Sequence, residues 1–158
     1  MKIIAVDPGY ERVGIAVLEK IKGKEERLIY SNCFKTPKKL SHSERLSLVG
    51  EEIRKVIKKF KPEALAVESL FFNENRRTAI KVSEARGVII YEAALKELPV
   101  FEYTPLQIKI AVIGYGRATK NQVISMVKKL IHIDKKAQDD EYDAIATGIT
   151  HFAHFKKV

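Results

Sequence analysis

The chain has 158 residues, 46% hydrophobic and 31% charged, which suits one globular domain with a hydrophobic core. No apolar run reaches 18 residues, and Asp7 interrupts the N-terminal apolar segment before a signal-peptide core could form, which argues against a membrane span and a secretory leader. Twenty-nine Lys and Arg against 20 Asp and Glu give a net charge of +9 and suggest a polyanionic partner such as nucleic acid, although a Lys/Glu-rich surface of the thermophile kind would give a similar balance.

The single cysteine, Cys33, excludes an internal disulfide and a cysteine metal site, and points to a reducing, cytoplasmic setting. In chain order, residues 2–7 (KIIAVD) read as a buried central strand broken by Pro8 and Gly9. Residues 13–20 form a second strand and residues 27–36 a third, with Gly23 in the turn between them, making an antiparallel meander that places Cys33 in a buried strand. Ser41 and Glu44 have capping-box spacing, and Leu46, Val49, Ile53, Ile57 and Phe60 follow at helical intervals.

Residues 63–68 (EALAVE) are a further apolar strand that ends in an acid. A polar loop, SLFFNENR, leads to a long helix over 77–97, and residues 99–103 form a fifth strand. Thr104 with Gln107, and Thr119 with Gln122, open two more capped helices around Gly114-Tyr115-Gly116. A last helix starts near Asp140. The order βββ-α-β-α-β-α-α-α predicts an α/β domain over residues 1–158, with a five-stranded mixed sheet flanked by helices. The connections from the first strand to the fourth, and from the fourth to the fifth, are expected to be parallel crossovers.

Aspartate is used selectively. Four of the five Asp residues (Asp134, Asp139, Asp140, Asp143) lie within ten positions, and the fifth, Asp7, ends an apolar strand. Glu68 ends another. An ionised carboxylate beside a buried strand is costly unless neutralised, and the carboxyl ends of adjacent parallel strands are where open α/β sheets bind ligands. Asp140 and Asp143 stand three apart on one helical face. Acids in a first helical turn also answer the helix dipole, but that explains neither Asp7 nor Glu68. Converging carboxylates without Cys or His partners favour Mg²⁺ or Mn²⁺. With a basic surface, they suggest phosphodiester cleavage by two metal ions about 3.5–4 Å apart. The residues alone leave Asp139 and Asp140 as alternatives for one ligand.

The segments VDPGYERVGIAV, AVESLFFNEN, EARGVII, LPVFEY, IGYGRATKNQV and DDEYDAIATGITH, in this order and spacing, closely resemble the RuvC-type Holliday junction resolvases. The resemblance runs from Met1 to about His154. It implies an RNase H-like fold and a Mg²⁺-dependent homodimer that cuts four-way DNA junctions by paired nicks, alongside branch-migration machinery of the RuvA/RuvB type. It further implies that Asp7, Glu68, Asp140 and Asp143 are catalytic metal ligands, with Asp140 favoured over Asp139 by its spacing from Asp143.

Lys109 and Lys120 match family lysines near the scissile phosphate. Lys109 is also the one charge in a strongly apolar helix, and Lys120 stands at a helix N-terminus, where an anion is well placed. Phe71 and Phe72 adjoin Glu68 in a polar loop; the resemblance selects Phe71 to stack on exposed bases, and leaves Phe72 to the core. Arg76 and Arg77 are candidates for backbone phosphates.

His151 and His154 have HxxH spacing but no third ligand nearby, which favours a structural or supporting use over zinc. The long helix carries Ala79, Ile80, Val82, Ala85, Val88, Ile89, Ala93 and Ala94, more apolar surface than one sheet face needs, as a two-fold dimer seam would require. Three other readings compete. An actin-like ATP-binding domain would need a second domain and a second Gly-rich hairpin. A non-catalytic junction-binding protein would not need all four matched acids. An RNase H-like nuclease acting on pre-ribosomal RNA fits the first hairpin but not LPVFEY and GRATKNQV.

Overall fold

The apolar run Lys2–Asp7 forms strand β1, which pairs antiparallel with β2 (Arg12–Glu19); β2 pairs antiparallel with β3 (Arg27–Lys35). On its other side β1 pairs in parallel with β4 (Ala64–Glu68), and β4 pairs in parallel with β5 (Val100–Tyr103). The sheet order is therefore β3-β2-β1-β4-β5, with β1 at the centre. This computed structural model describes residues 1–70 and 76–155, apart from the side chains of Arg76 and Arg77. Among the described residues no helix is long and apolar enough to cross a membrane.

Strand alternation divides the core into two layers. Ile4, Val6, Val13, Ile15, Val17, Leu65 and Val67 point to the face covered by helices α1 (His42–Phe60) and α2 (Arg76–Ala94). Ile3, Ala5, Ala16, Leu18, Ala64 and Ala66 point to the other, beneath α3 (Pro105–Ile113), α4 (Lys120–Leu130) and α5 (Asp139–His154). The second layer is rich in alanine, and the small side chains let α5 lie close to the sheet. A Cβ on Gly148 would come within 2.5 Å of Leu18 Cδ1 and 3.3 Å of Ala5 Cβ.

The three capping boxes form as their spacing implies. Ser41, Thr104 and Thr119 each accept from the backbone N–H three residues on, and Glu44, Gln107 and Gln122 reach back to the cap. Two boundaries move. Helix α2 closes at Ala94, three residues before the expected end. Glu97 takes a left-handed φ of 55°, and Leu98 N–H returns to Ala93 O, a Schellman closure made without glycine. Helix α5 begins at Asp139, one residue earlier than read.

Candidate active site

The two strand-end acids fall on one face because strand side chains alternate. Asp7 continues the parity of Ile3 and Ala5, and Glu68 that of Ala64 and Ala66, so both face the α5 layer. Val6 and Val67 are register partners on neighbouring parallel strands, which brings Asp7 and Glu68 side by side at the carboxyl end of the sheet. Gly14 and Cys33, paired across β2 and β3, keep the same parity.

Helix α5 supplies the remaining acids, and Gly14 lets it do so. A Cβ on Gly14 would lie 1.9 Å from Asp140 O and 3.2 Å from Asp7 Cβ. Only a bare α-carbon admits the first turn of α5 at this distance. That turn is not capped by its aspartates: Gln138 N–H donates to Glu141 Oε2 at 3.1 Å, and buried Glu141 also takes Lys135 Nζ at 2.6 Å. Asp139, Asp140 and Asp143 are therefore released from the capping role that would have explained them without a site.

The two alternatives for the third acid stand in different places. Asp139 has a side chain 67% exposed, 4.0 Å from Lys120 Nζ. Asp140 is 16% exposed and turns to the sheet, where its Oδ2 lies 3.5 Å from Arg12 Nε and 3.5 Å from Cys33 Sγ. Asp143 accepts a 2.8 Å hydrogen bond from Lys120 Nζ. Lys120 and Lys109 line, with Glu68, Asp143, Pro105 and Ile108, a cavity of about 200 Å³.

Electrostatics mark these acids as a group. Burial, followed by the charges of Glu68, Asp143 and Asp140, pushes the Asp7 carboxyl well above the usual range. Burial and then Asp143 push Glu68 up to about 7. Burial raises Asp143 as well, against the hydrogen bond and charge of Lys120. Burial works against the Lys120 ammonium, but the hydrogen bond and charge of Asp143 hold its pKa up. Such crowding is what a bound cation would relieve, and an all-oxygen donor set suits a hard divalent ion. Among the described residues no three acid, imidazole or thiol groups converge on one point as they stand. Asp143 is turned onto Lys120 and Asp140 onto Arg12.

Other sequence-derived candidates fall outside this cluster. His151 is fully buried and bonds through Nδ1 to Tyr103 Oη at 3.0 Å; burial lowers its pKa to about 4, and it acts as a core residue. His154 Nδ1 lies 2.9 Å from Thr150 O. Cys33 is buried in β3, as read, and unlike these histidines it touches the cluster, through Asp140. Phe71 and Phe72 lie outside the described residues. Arg76 and Arg77 open α2, and their side chains also lie outside the description. Sequence reading missed Arg12, Gly14 and Arg86, whose Nε donates to Glu68 O at 3.2 Å and whose guanidinium pairs with Glu102. Arg86 lay within a quoted motif, EARGVII, but nothing in its spacing tied it to Glu68.

A five-stranded mixed sheet with acids at the ends of its central parallel strands, completed by a helix from the C-terminal part of the chain, defines an RNase H-like nuclease fold. The family model for crossover junction endodeoxyribonuclease RuvC matches residues 3–151, and the chain belongs to that family. A protein of that description from Halothermothrix orenii is 45% identical over 152 residues, covering 96% of this chain and 92% of its own. One from Moorella thermoacetica is 44% identical over 152 residues, covering 96% and 90%. The structure of Thermus thermophilus RuvC in complex with a Holliday junction substrate superposes with a TM-score of 0.90 at 30% identity, covering 98% of this chain and 94% of that one.

Proposed function

We propose that this chain, as one nuclease domain, resolves four-way DNA junctions by paired nicks, with Asp7, Glu68, Asp140 and Asp143 holding two Mg²⁺ ions per site. Its family membership makes it a metal-dependent crossover junction endodeoxyribonuclease, a hydrolase of DNA recombination and repair. The observation that carries the assignment of the site is the mutual crowding of Asp7, Glu68, Asp140 and Asp143 at one sheet end. Asp139, exposed and absent from the groups acting on Asp7, is left out of the ligand set. The bound ions would supply the charge that activates water and stabilises the leaving 3′ oxygen. Mn²⁺ would satisfy the same hard donors.

The chain's own residues do the rest. Asp143 and Asp140, which face Lys120 and Arg12, would hold the metal in place of those cations. Lys120, thus released, and Lys109 across the cavity contact the phosphate of the strand to be cut. Phe71, by its place in AVESLFFNEN, and Arg76 and Arg77, as cations that follow it, remain candidate DNA contacts.

A junction with two-fold symmetry requires two active sites, which supports a homodimer. Ile80 and Tyr91, both 60% exposed, and Leu95, 54% exposed, leave α2 and its end an apolar outer surface suited to that seam. Partnership with branch-migration machinery of the RuvA/RuvB type, and a cytoplasmic site of action, follow from the same reading.

Asp7→Asn tests the assignment. It should abolish cutting of a four-way junction while leaving junction affinity within about twofold of wild type, because metals serve chemistry while Lys and Arg supply affinity. Normal cleavage by this variant, read by strand mapping on a denaturing gel, would contradict the assignment.

A further inference from the structure

On the opposite face of the sheet from α5, but at the same end, a second polar cavity of about 270 Å³ opens between the turn after Asp7, the loop after β3, and the starts of α1 and α2. Tyr10, Glu11, Lys38, His42, Arg45 and Lys81 line it. Arg45 is only 8% exposed, an unusual burial for arginine. Its guanidinium sits 5.9 Å from the centre of the Tyr10 ring, and Nη1 lies 3.3 Å from Glu11 Oε1. Lys81 Nζ stands 5.4 Å from the same ring.

Two buried nitrogens on residues that line this cavity, Arg45 Nε and His42 Nδ1, have no hydrogen-bond partner among the described residues. Buried polar groups are normally satisfied, and Arg45, held by Glu11 alone at the wall of a basic pocket, is short of hydrogen-bond acceptors. The charges favour an anion. Among the described residues that line it, Lys38, Arg45 and Lys81 face one carboxylate, Glu11, while Glu84 pairs with His42 Nε2 at 2.5 Å.

Position narrows the anion. Tyr10 follows Asp7 by three residues, so their α-carbons are no more than about 11 Å apart. Phosphates along one DNA strand advance by about 3.4 Å per nucleotide, which puts the pocket within a few nucleotides of a bond cut at the carboxylates. Lys109 and Lys120 flank the acids on the α5 face, and the pocket supplies cations on the α1/α2 face. A strand crossing the sheet end would meet both.

We propose that the pocket of Tyr10, Lys38, His42, Arg45 and Lys81 holds a backbone phosphate of the cut strand, a few nucleotides from the scissile bond, and so fixes that strand's register over the carboxylates. The proposal rests on the junction-cleaving role assigned above to Asp7 and its neighbours. Arg45 is the buried fork, and Lys38 and Lys81 are its exposed helpers.

Junctions carrying one neutral methylphosphonate at each successive position of the cut strand test this, with binding measured in EDTA. Wild type should lose about fivefold in affinity at one position a few nucleotides from the cut. Lys38→Ala/Lys81→Ala, both exposed positions, should bind the unmodified junction about fivefold more weakly, with a salt slope smaller by about 1. This variant should also no longer sense that position. Lys55→Ala/Lys58→Ala, which removes two charges further along α1, should keep the wild-type pattern. A Lys38/Lys81 variant that retains the full pattern would overturn the proposal. So would a pocket that answers only to inorganic phosphate, seen as a Lys38- and Lys81-dependent rise in melting temperature with no position lost from the scan. Cleavage of the unmodified junction by wild type with Mg²⁺, run alongside, reports separately on the active-site reading.

Discussion

The acids at the sheet end carry opposite consequences for stability and for chemistry. A carboxyl whose folded pKa is raised holds its proton more tightly in the native state, so the stability it lends at acid pH is lost as pH rises. For Glu68 that window runs from its ordinary 4.5 to about 7; Asp7 and Asp143 shift in the same direction. Metal-free protein is therefore expected to lose stability through Glu68 between about pH 4.5 and 7, with Asp7 and Asp143 adding in the same direction. Excess Mg²⁺ should restore it at pH 8 and do less at pH 5, where Glu68 holds its proton. Asp7→Asn should raise the melting temperature of the metal-free protein at pH 8, by on the order of 1 kcal/mol in stability, and shrink the response to Mg²⁺. Thermal melts in EDTA and in Mg²⁺ at the two pH values check this. A melting temperature indifferent to Mg²⁺ in wild type at pH 8 would contradict it.

At the scale of elements, the site depends on how closely α5 lies against β1 and β2. Gly14 and Gly148 set that distance at two points along the helix. Gly14→Ala places a methyl group 1.9 Å from Asp140 O, so the first turn of α5 must retreat and take Asp140 and Asp143 with it. Displacements of about 1 Å in such sites cost on the order of 100-fold in rate, with a stability loss of about 1–3 kcal/mol from overpacking. Single-turnover cleavage together with a thermal melt separates the two effects. A near-normal rate would show that the close approach is not needed.

Elements of this kind were legible in the sequence where the signal is local. The capping boxes at Ser41, Thr104 and Thr119 specify helix starts by residue type and spacing, and the acid-terminated apolar runs specify where strands β1 and β4 stop. The contacts that complete the site join residues far apart in the chain. Arg12 to Asp140, Gly14 to the α5 backbone and Arg86 to Glu68 O have no periodicity to read. The end of α2 was misjudged for a similar reason, since Glu97 adopts the left-handed closure that glycine usually marks. Glu141 shows the converse: Asp139 and Asp140 precede it and Asp143 follows two residues on, and the fold shows that Glu141 is the one that accepts from the Gln138 N–H.

For the whole molecule, the net charge of +9 acquires a direction. Lys109 and Lys120 stand on one side of the carboxylate row, and Lys38, Arg45 and Lys81 on the other, so on the proposed reading a DNA strand would meet cations before and after the acids. The outer surface of α2, with Ile80 and Tyr91 exposed, lies away from the core it shares with α1 and is the seam proposed for the homodimer. The central claim, that this sheet end cuts four-way junctions as a paired device, is tested most directly by mapping nicks on a synthetic junction and on linear duplexes of the same arm sequences, with and without Mg²⁺. Symmetric nicks on opposing strands of the junction, with ligatable 5′-phosphate ends, appearing only with Mg²⁺ and not on the duplexes, are the expected result. Equal cutting of linear duplex, or undiminished cutting in EDTA, would contradict it.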